Sequence, residues 1–111
     1  MSKPNDFDVF KQEFAAALAR MGIDGTWDVR FRAKPRLKEQ ANVECDVDNR
    51  MVVVEFGHVD ANYSPARLAR HEAAHVLLAD LVQCAGDRFA NKAELHKAEE
   101  TVATVLERVL P

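Results

Sequence analysis

Ser64-Pro65-Ala66-Arg67-Leu68-Ala69-Arg70-His71-Glu72-Ala73-Ala74-His75-Val76-Leu77-Leu78-Ala79-Asp80-Leu81-Val82-Gln83-Cys84 is the stretch on which the rest of the chain's arrangement depends. Ser64 offers a helix N-cap and Pro65 suits the first helical position, where its missing N–H costs nothing. A helix therefore starts here and runs to about Cys84, with Ala85-Gly86-Asp87 breaking it. Its apolar residues, Leu68, Val76, Leu77, Leu78, Leu81 and Val82, are spread almost all the way round. A helix of that kind belongs in the middle of a domain, with other elements on several sides.

The neighbouring segments supply those elements. From about Asp6 to Met21, Phe7, Phe10, Phe14, Leu18 and Met21 recur every three or four positions, which predicts an amphipathic helix ended by Gly22 and Gly25. The period then changes to two. Trp27, Val29, Phe31 and Ala33 alternate with Asp28, Arg30 and Arg32, and Val43, Cys45 and Val47 alternate with Asn42, Glu44, Asp46 and Asp48. Asp48-Asn49 reads as a turn, after which Met51 to Phe56 is a nearly continuous apolar strand. The second and third strands form a hairpin on this reading, the third strand central and the second at an edge. A last helix opens near Asn91, with Glu94 placed for a capping box. The expected fold is α+β: an N-terminal helix, a small three-stranded and mostly antiparallel sheet, the central helix and a C-terminal helix.

Length and composition agree. The 111 residues suit one domain, 1–111, with one core, and 48% hydrophobic with 30% charged residues is ordinary globular usage. A net charge of −3 argues against nucleic acid as partner, and the basic run Lys34, Arg36, Lys38 around Pro35 reads as a solvated loop. Met1 to Phe10 lacks a basic leader followed by an apolar run, and no segment approaches the roughly 20 apolar residues of a membrane span. The expectation is a cytoplasmic protein without membrane association. Cys45 and Cys84 lie far apart without metal-ligand spacing and read as two small, partly buried thiols.

The chemistry sits at His71-Glu72-Ala73-Ala74-His75. Residues four apart on a helix share a face, so two imidazoles at this spacing can converge on one metal ion. Glu72, about 100° round the helix from His71, can flank that ion as a base without ligating it. A chance match in a chain of this composition has a probability on the order of one in a hundred, and the apolar surroundings favour a built site. A zinc site of the hydrolytic kind needs a third protein ligand. On the last helix the apolar residues Leu95, Ala98, Val102, Val105, Leu106 and Val109 define a stripe. Projection at about 100° per residue puts Glu99 roughly 50° from its centre and Glu100 on the opposite side. Glu99 is therefore the expected ligand, Glu100 reads as solvated, and His96 lies at the boundary; these two remain the alternatives.

A His-Glu-x-x-His helix followed by a glutamate 24 positions beyond His75 resembles the gluzincin branch of the zincin metallopeptidases, most of all their minimal single-domain members. The resemblance is local to the two C-terminal helices; the first half of the chain matches only in the order of elements. It implies a Zn²⁺ cofactor held by His71, His75 and Glu99, and a water activated by Glu72 that attacks a peptide carbonyl. It also implies a peptide or protein substrate extended along the edge strand Val43 to Val47. No glycine and third histidine follow His75, which sets the metzincins aside. Larger gluzincins often carry an aspartate one turn after the glutamate ligand to orient a histidine; here Ala103 stands there, so that support must come from elsewhere. Tyr63, His58 and His96 are candidates for stabilising the oxyanion. The alternative reading is a zinc-binding structural or interaction module with little hydrolytic activity. The sequence leaves the oligomeric state open.

Overall fold

Asn5 starts the first helix, α1 (Asp6–Arg20), by accepting the Asp8 N–H on its side-chain oxygen at 2.8 Å. Gly22 ends it, with a φ of 75° that a side chain would resist, so that the Ile23 N–H can return to the Leu18 carbonyl. The structure is a computed structural model and describes residues 5–86 and 91–110, without the side chains of Cys84, Val105 and Val109. Three strands follow, β1 (Asp28–Ala33), β2 (Ala41–Asp46) and β3 (Met51–Phe56), then α2 (Pro65–Gly86) and α3 (Lys92–Val109). Asp87, part of the expected break after α2, lies outside the described residues.

The α+β class and the order of elements are those expected: three helices and a three-stranded sheet. The strand order is β1-β3-β2, with the apolar β3 in the centre and β2 at an edge. The sheet is mixed. The β2–β3 pair is antiparallel, with Val43 opposite Val54, while β1 pairs with β3 in parallel, with Phe31 opposite Val54. The chain reaches this arrangement because residues 34–40 carry it past the place that β3 later fills. Two backbone bonds to the Gln40 carbonyl, from Gly57 at 2.8 Å and His58 at 3.1 Å, fasten that crossing to the end of β3. The hairpin turn is held by Asp46, which accepts the Asn49 backbone N–H at 3.2 Å and its side-chain amide at 2.8 Å.

Alternation along each strand sends one set of side chains to the helices. Val52, Val54 and Phe56 of β3 are buried there, against Phe10, Phe14, Ala17 and Leu18 of α1 and Leu68, Ala69, Ala73 and Val76 of α2. Phe14 meets Phe31 edge-on at 5.5 Å, and Phe10 lies 5.0 Å from Phe56. Ser64 caps α2 by accepting the Arg67 N–H at 3.1 Å. The central position predicted for α2 is realised: α1, α3 and β2 all pack against it. Because β2 is an edge strand beside α2 and α3 packs chiefly on α2, a long cleft is left between that edge and the two helices. Among the described residues, no helix is long and apolar enough to cross a membrane.

Candidate metal centre

Each imidazole of α2 is gripped from behind by a carboxylate of α3. His75 Nδ1 lies 2.7 Å from Glu99 Oε2, and His71 Nδ1 lies 2.7 Å from Glu107 Oε1. An ionised carboxylate only accepts, so each Nδ1 donates to the carboxylate behind it and Nε2 is the ring nitrogen left facing the other ring. The two Nε2 atoms face one another at 3.2 Å. Glu100 completes the group, with its oxygens 3.2 Å from His71 Nε2 and 2.8 Å from His75 Nε2. Two ligands held about 2.05 Å from one ion at a tetrahedral angle are themselves about 3.3 Å apart. The three donors thus approach the edge lengths of a tetrahedral site, and His71, His75 and Glu100 together can hold a metal ion. Donor atoms converging in this way are satisfied by a shared proton or by a metal cation, and their number and spacing fit the latter.

The third carboxylate differs from the one expected. Glu99 touches the Nδ1 side of His75, away from the convergence, whereas Glu100 stands at it. The projection places Glu99 inward, as it is, but misplaces Glu100, because the apolar stripe of α3 is not its docking face. Ala98 and Val102 are exposed, Val102 by 43%, while Ala103 and Glu107 are fully buried. The buried face is turned by roughly a quarter of a revolution from the stripe, so Glu99 and Glu100 flank its centre. Val105 and Val109, also placed in the stripe, have side chains outside the described set. The helix docks through carboxylates because its partner surface on α2 offers imidazoles and guanidinium groups.

Glu107 is the residue that sequence reasoning missed. It is 1% exposed, yet its carboxylate accepts the Tyr63 hydroxyl at 2.6 Å and Arg67 Nε at 2.5 Å besides the His71 ring, and its carbonyl accepts Arg70 Nε at 3.1 Å. Burial pushes its carboxyl up, but the bonds from Tyr63, His71 and Arg67 outweigh it and hold the group below the usual carboxylate range. The available signal was the spacing: Glu107 lies seven positions after Glu100, two turns along one face.

Glu72, 6% exposed, lines the cleft. Burial, reinforced by the charges of Glu100, Glu99 and Glu107, pushes its carboxyl up to about 8. A cation in the cluster would counter that repulsion and favour the ionised form. The cleft has a volume of about 1020 Å³ and runs along β2, whose Val43 and Cys45 form its far wall with Val47 of the turn. Burial, then the charges of Glu99, Glu72 and Asp80, push the Cys45 thiol up to about 11, so it stays neutral and acts as an apolar wall. Tyr63 lines the cleft, but its hydroxyl is engaged by Glu107. His96 also lines it, whereas His58 is exposed and sits on Asp60 at 3.2 Å.

No protein-family profile, no curated protein and no solved structure matches this chain.

Proposed function

We propose that the protein is a zinc-dependent peptidase in which His71, His75 and Glu100 hold the metal and Glu72 is the general base. The observation that carries this reading is the convergence of His71 Nε2, His75 Nε2 and the Glu100 carboxylate at 2.8–3.2 Å in the wall of an open cleft. Three protein donors leave one position of a tetrahedral ion free, as hydrolytic zinc sites require and structural ones do not. Glu100 is 41% exposed on its side chain, so the cluster is open to solvent.

When bound, a zinc ion supplies Lewis acidity, lowering the pKa of a coordinated water and polarising a carbonyl oxygen. The chain supplies the rest. Glu72, ionised beside a bound cation, can take a proton from water at its carboxylate and return it to the departing amine. Among the described residues no strand pairs with the outer edge of β2, which offers main-chain groups to an extended peptide, and Val43 and Cys45 offer it apolar contact. Glu99 and Glu107 lie behind the two imidazoles and orient the rings toward the convergence.

Elemental mass spectrometry of the purified protein, together with the His75→Ala and Glu100→Ala variants, tests the site. One zinc per chain in the wild type, lost in both variants, is the expected result; a wild type that takes up no zinc overturns it. Glu72→Gln should then keep the zinc and lose cleavage of a mixed peptide library. A zinc-loaded wild type that cleaves nothing would leave a zinc module without hydrolytic function.

A further inference from the structure

Arg67, His71 and His75 are spaced four apart and form one face of α2, and each meets a carboxylate of α3. The end of this ladder away from the cluster is chemically unusual. A leucine would fill the place of Glu107 without the desolvation cost of a charge at 1% exposure. Instead the site holds a carboxylate and surrounds it with three donors: the Tyr63 hydroxyl, Arg67 Nε and a ring nitrogen of His71. Arg67 also lies over the Tyr63 ring at 4.4 Å, so the two donors brace one another.

We infer that Glu107 is a positioning residue for the proposed metal centre: clamped by Tyr63 and Arg67, it compels His71 to carry a proton on Nδ1 and so leaves Nε2, turned toward His75 and Glu100, as the nitrogen that can ligate. A carboxylate in this place accepts from every neighbour and donates to none. His71 Nδ1, 2.7 Å away, has one compatible form, the protonated one. The consequence for zinc rests on the metallopeptidase reading; the choice of tautomer does not.

Glu107→Gln separates this role from packing, because the amide keeps the size and loses the acceptor-only character. With Arg67 Nε held by the amide oxygen, the amide N–H₂ turns to His71, and Nδ1 must then accept. The proton moves to Nε2, from which a metal must displace it. The measurement is the ¹⁵N spectrum of the histidine rings in metal-free protein at about pH 8.5, above the ordinary imidazole range, assigned by a His71→Asn control. His71 is expected as the Nδ1–H tautomer in the wild type and as the Nε2–H tautomer in Glu107→Gln. Zinc affinity, by competition with a chromogenic chelator, should fall about 10- to 100-fold in that variant. Tyr63→Phe, which leaves the carboxylate and Arg67 in place, should keep the wild-type tautomer.

An Nε2–H tautomer in the wild type overturns the inference without any variant, as does a Glu107→Gln protein that keeps the Nδ1–H form. A merely structural Glu107 would lower the melting temperature and leave the ring spectrum unchanged. If the wild type binds no zinc, the metallopeptidase reading fails, and the tautomer measurement still decides the role of Glu107.

Discussion

Glu72→Gln should stabilise the metal-free protein, and by an amount that depends on pH in a defined direction. Burial and the neighbouring carboxylates raise the Glu72 carboxyl from 4.5 to about 8. That displacement corresponds to ~5 kcal/mol between its two protonation states. A carboxyl with a higher pKa in the fold than in the unfolded chain binds its proton more tightly when folded. Its contribution is intact below pH 4.5 and is lost as pH rises toward 8. At pH 7.5 most of the cost is present, ~4 kcal/mol, and at pH 5 about 1 kcal/mol. Glutamine has nearly the same shape and never ionises, so it escapes the cost. A chain of this size shifts by about 4 °C per kcal/mol. Thermal unfolding in chelator should therefore place the variant roughly 15 °C above the wild type at pH 7.5 and within a few degrees of it at pH 5. Comparing the two proteins at each pH isolates the substituted group from those they share. Saturating zinc should narrow the gap at pH 7.5, since a cation beside Glu72 stabilises its charge. A gap of the same size from pH 5 to pH 8 would refute the reasoning.

Three further outcomes follow from the geometry. Glu100→Ala should abolish stoichiometric zinc binding, whereas Glu99→Ala should weaken it about 10- to 100-fold; isothermal titration of both variants checks the assignment, and the reverse order would restore Glu99 as ligand. Gly57→Ala should destabilise the fold by about 1–3 kcal/mol in chemical denaturation. An added Cβ would lie 2.9 Å from both the Glu39 carbonyl oxygen and Leu37 Cβ, and a neutral effect would mean that the strand crossing yields easily. Phe14→Ala should cost about 3–5 kcal/mol by the same assay, because its ring is fully buried between Phe10 and Phe31; a loss under 1 kcal/mol would contradict the packing.

The parts of this architecture that were legible in the sequence are those governed by local periodicity. The spacing of Phe7, Phe10, Phe14 and Leu18 marks α1, and the apolar run from Met51 to Phe56 marks the central strand. Ser64-Pro65 fixes the start of α2, and His71, Glu72 and His75 are readable because their spacing is itself a statement about one helix face. What failed to show is what depends on non-local choice. Nothing between Ala33 and Ala41 reveals that β1 will lie parallel to β3, because the pairing is decided by the path of the crossing. The rotation of α3 was likewise hidden. Apolar patterning locates a docking face when burial of apolar surface drives the docking, but α3 meets α2 through Glu99, Glu100 and Glu107, leaving Val102 outside. Glu99 is legible beside the stripe, but a rule that reads the remaining carboxylates as solvent-facing misplaces Glu100 and Glu107.

The edge of β2 has a consequence for association between copies of this chain. An open edge strand is a template for any other strand, its own duplicate included. On the face turned away from the helices β2 carries Asn42, Glu44 and Asp46, the last two exposed. An antiparallel pairing of two copies centred on this segment would set Glu44 against its own duplicate, with Asp46 beside Asn42 on the same face. Like charges directly opposite one another destabilise a pair of strands. The strand thus discourages templating by its own kind while staying open to a chain of different sequence. A peptide with basic or neutral residues facing Glu44 and Asp46 meets no such repulsion.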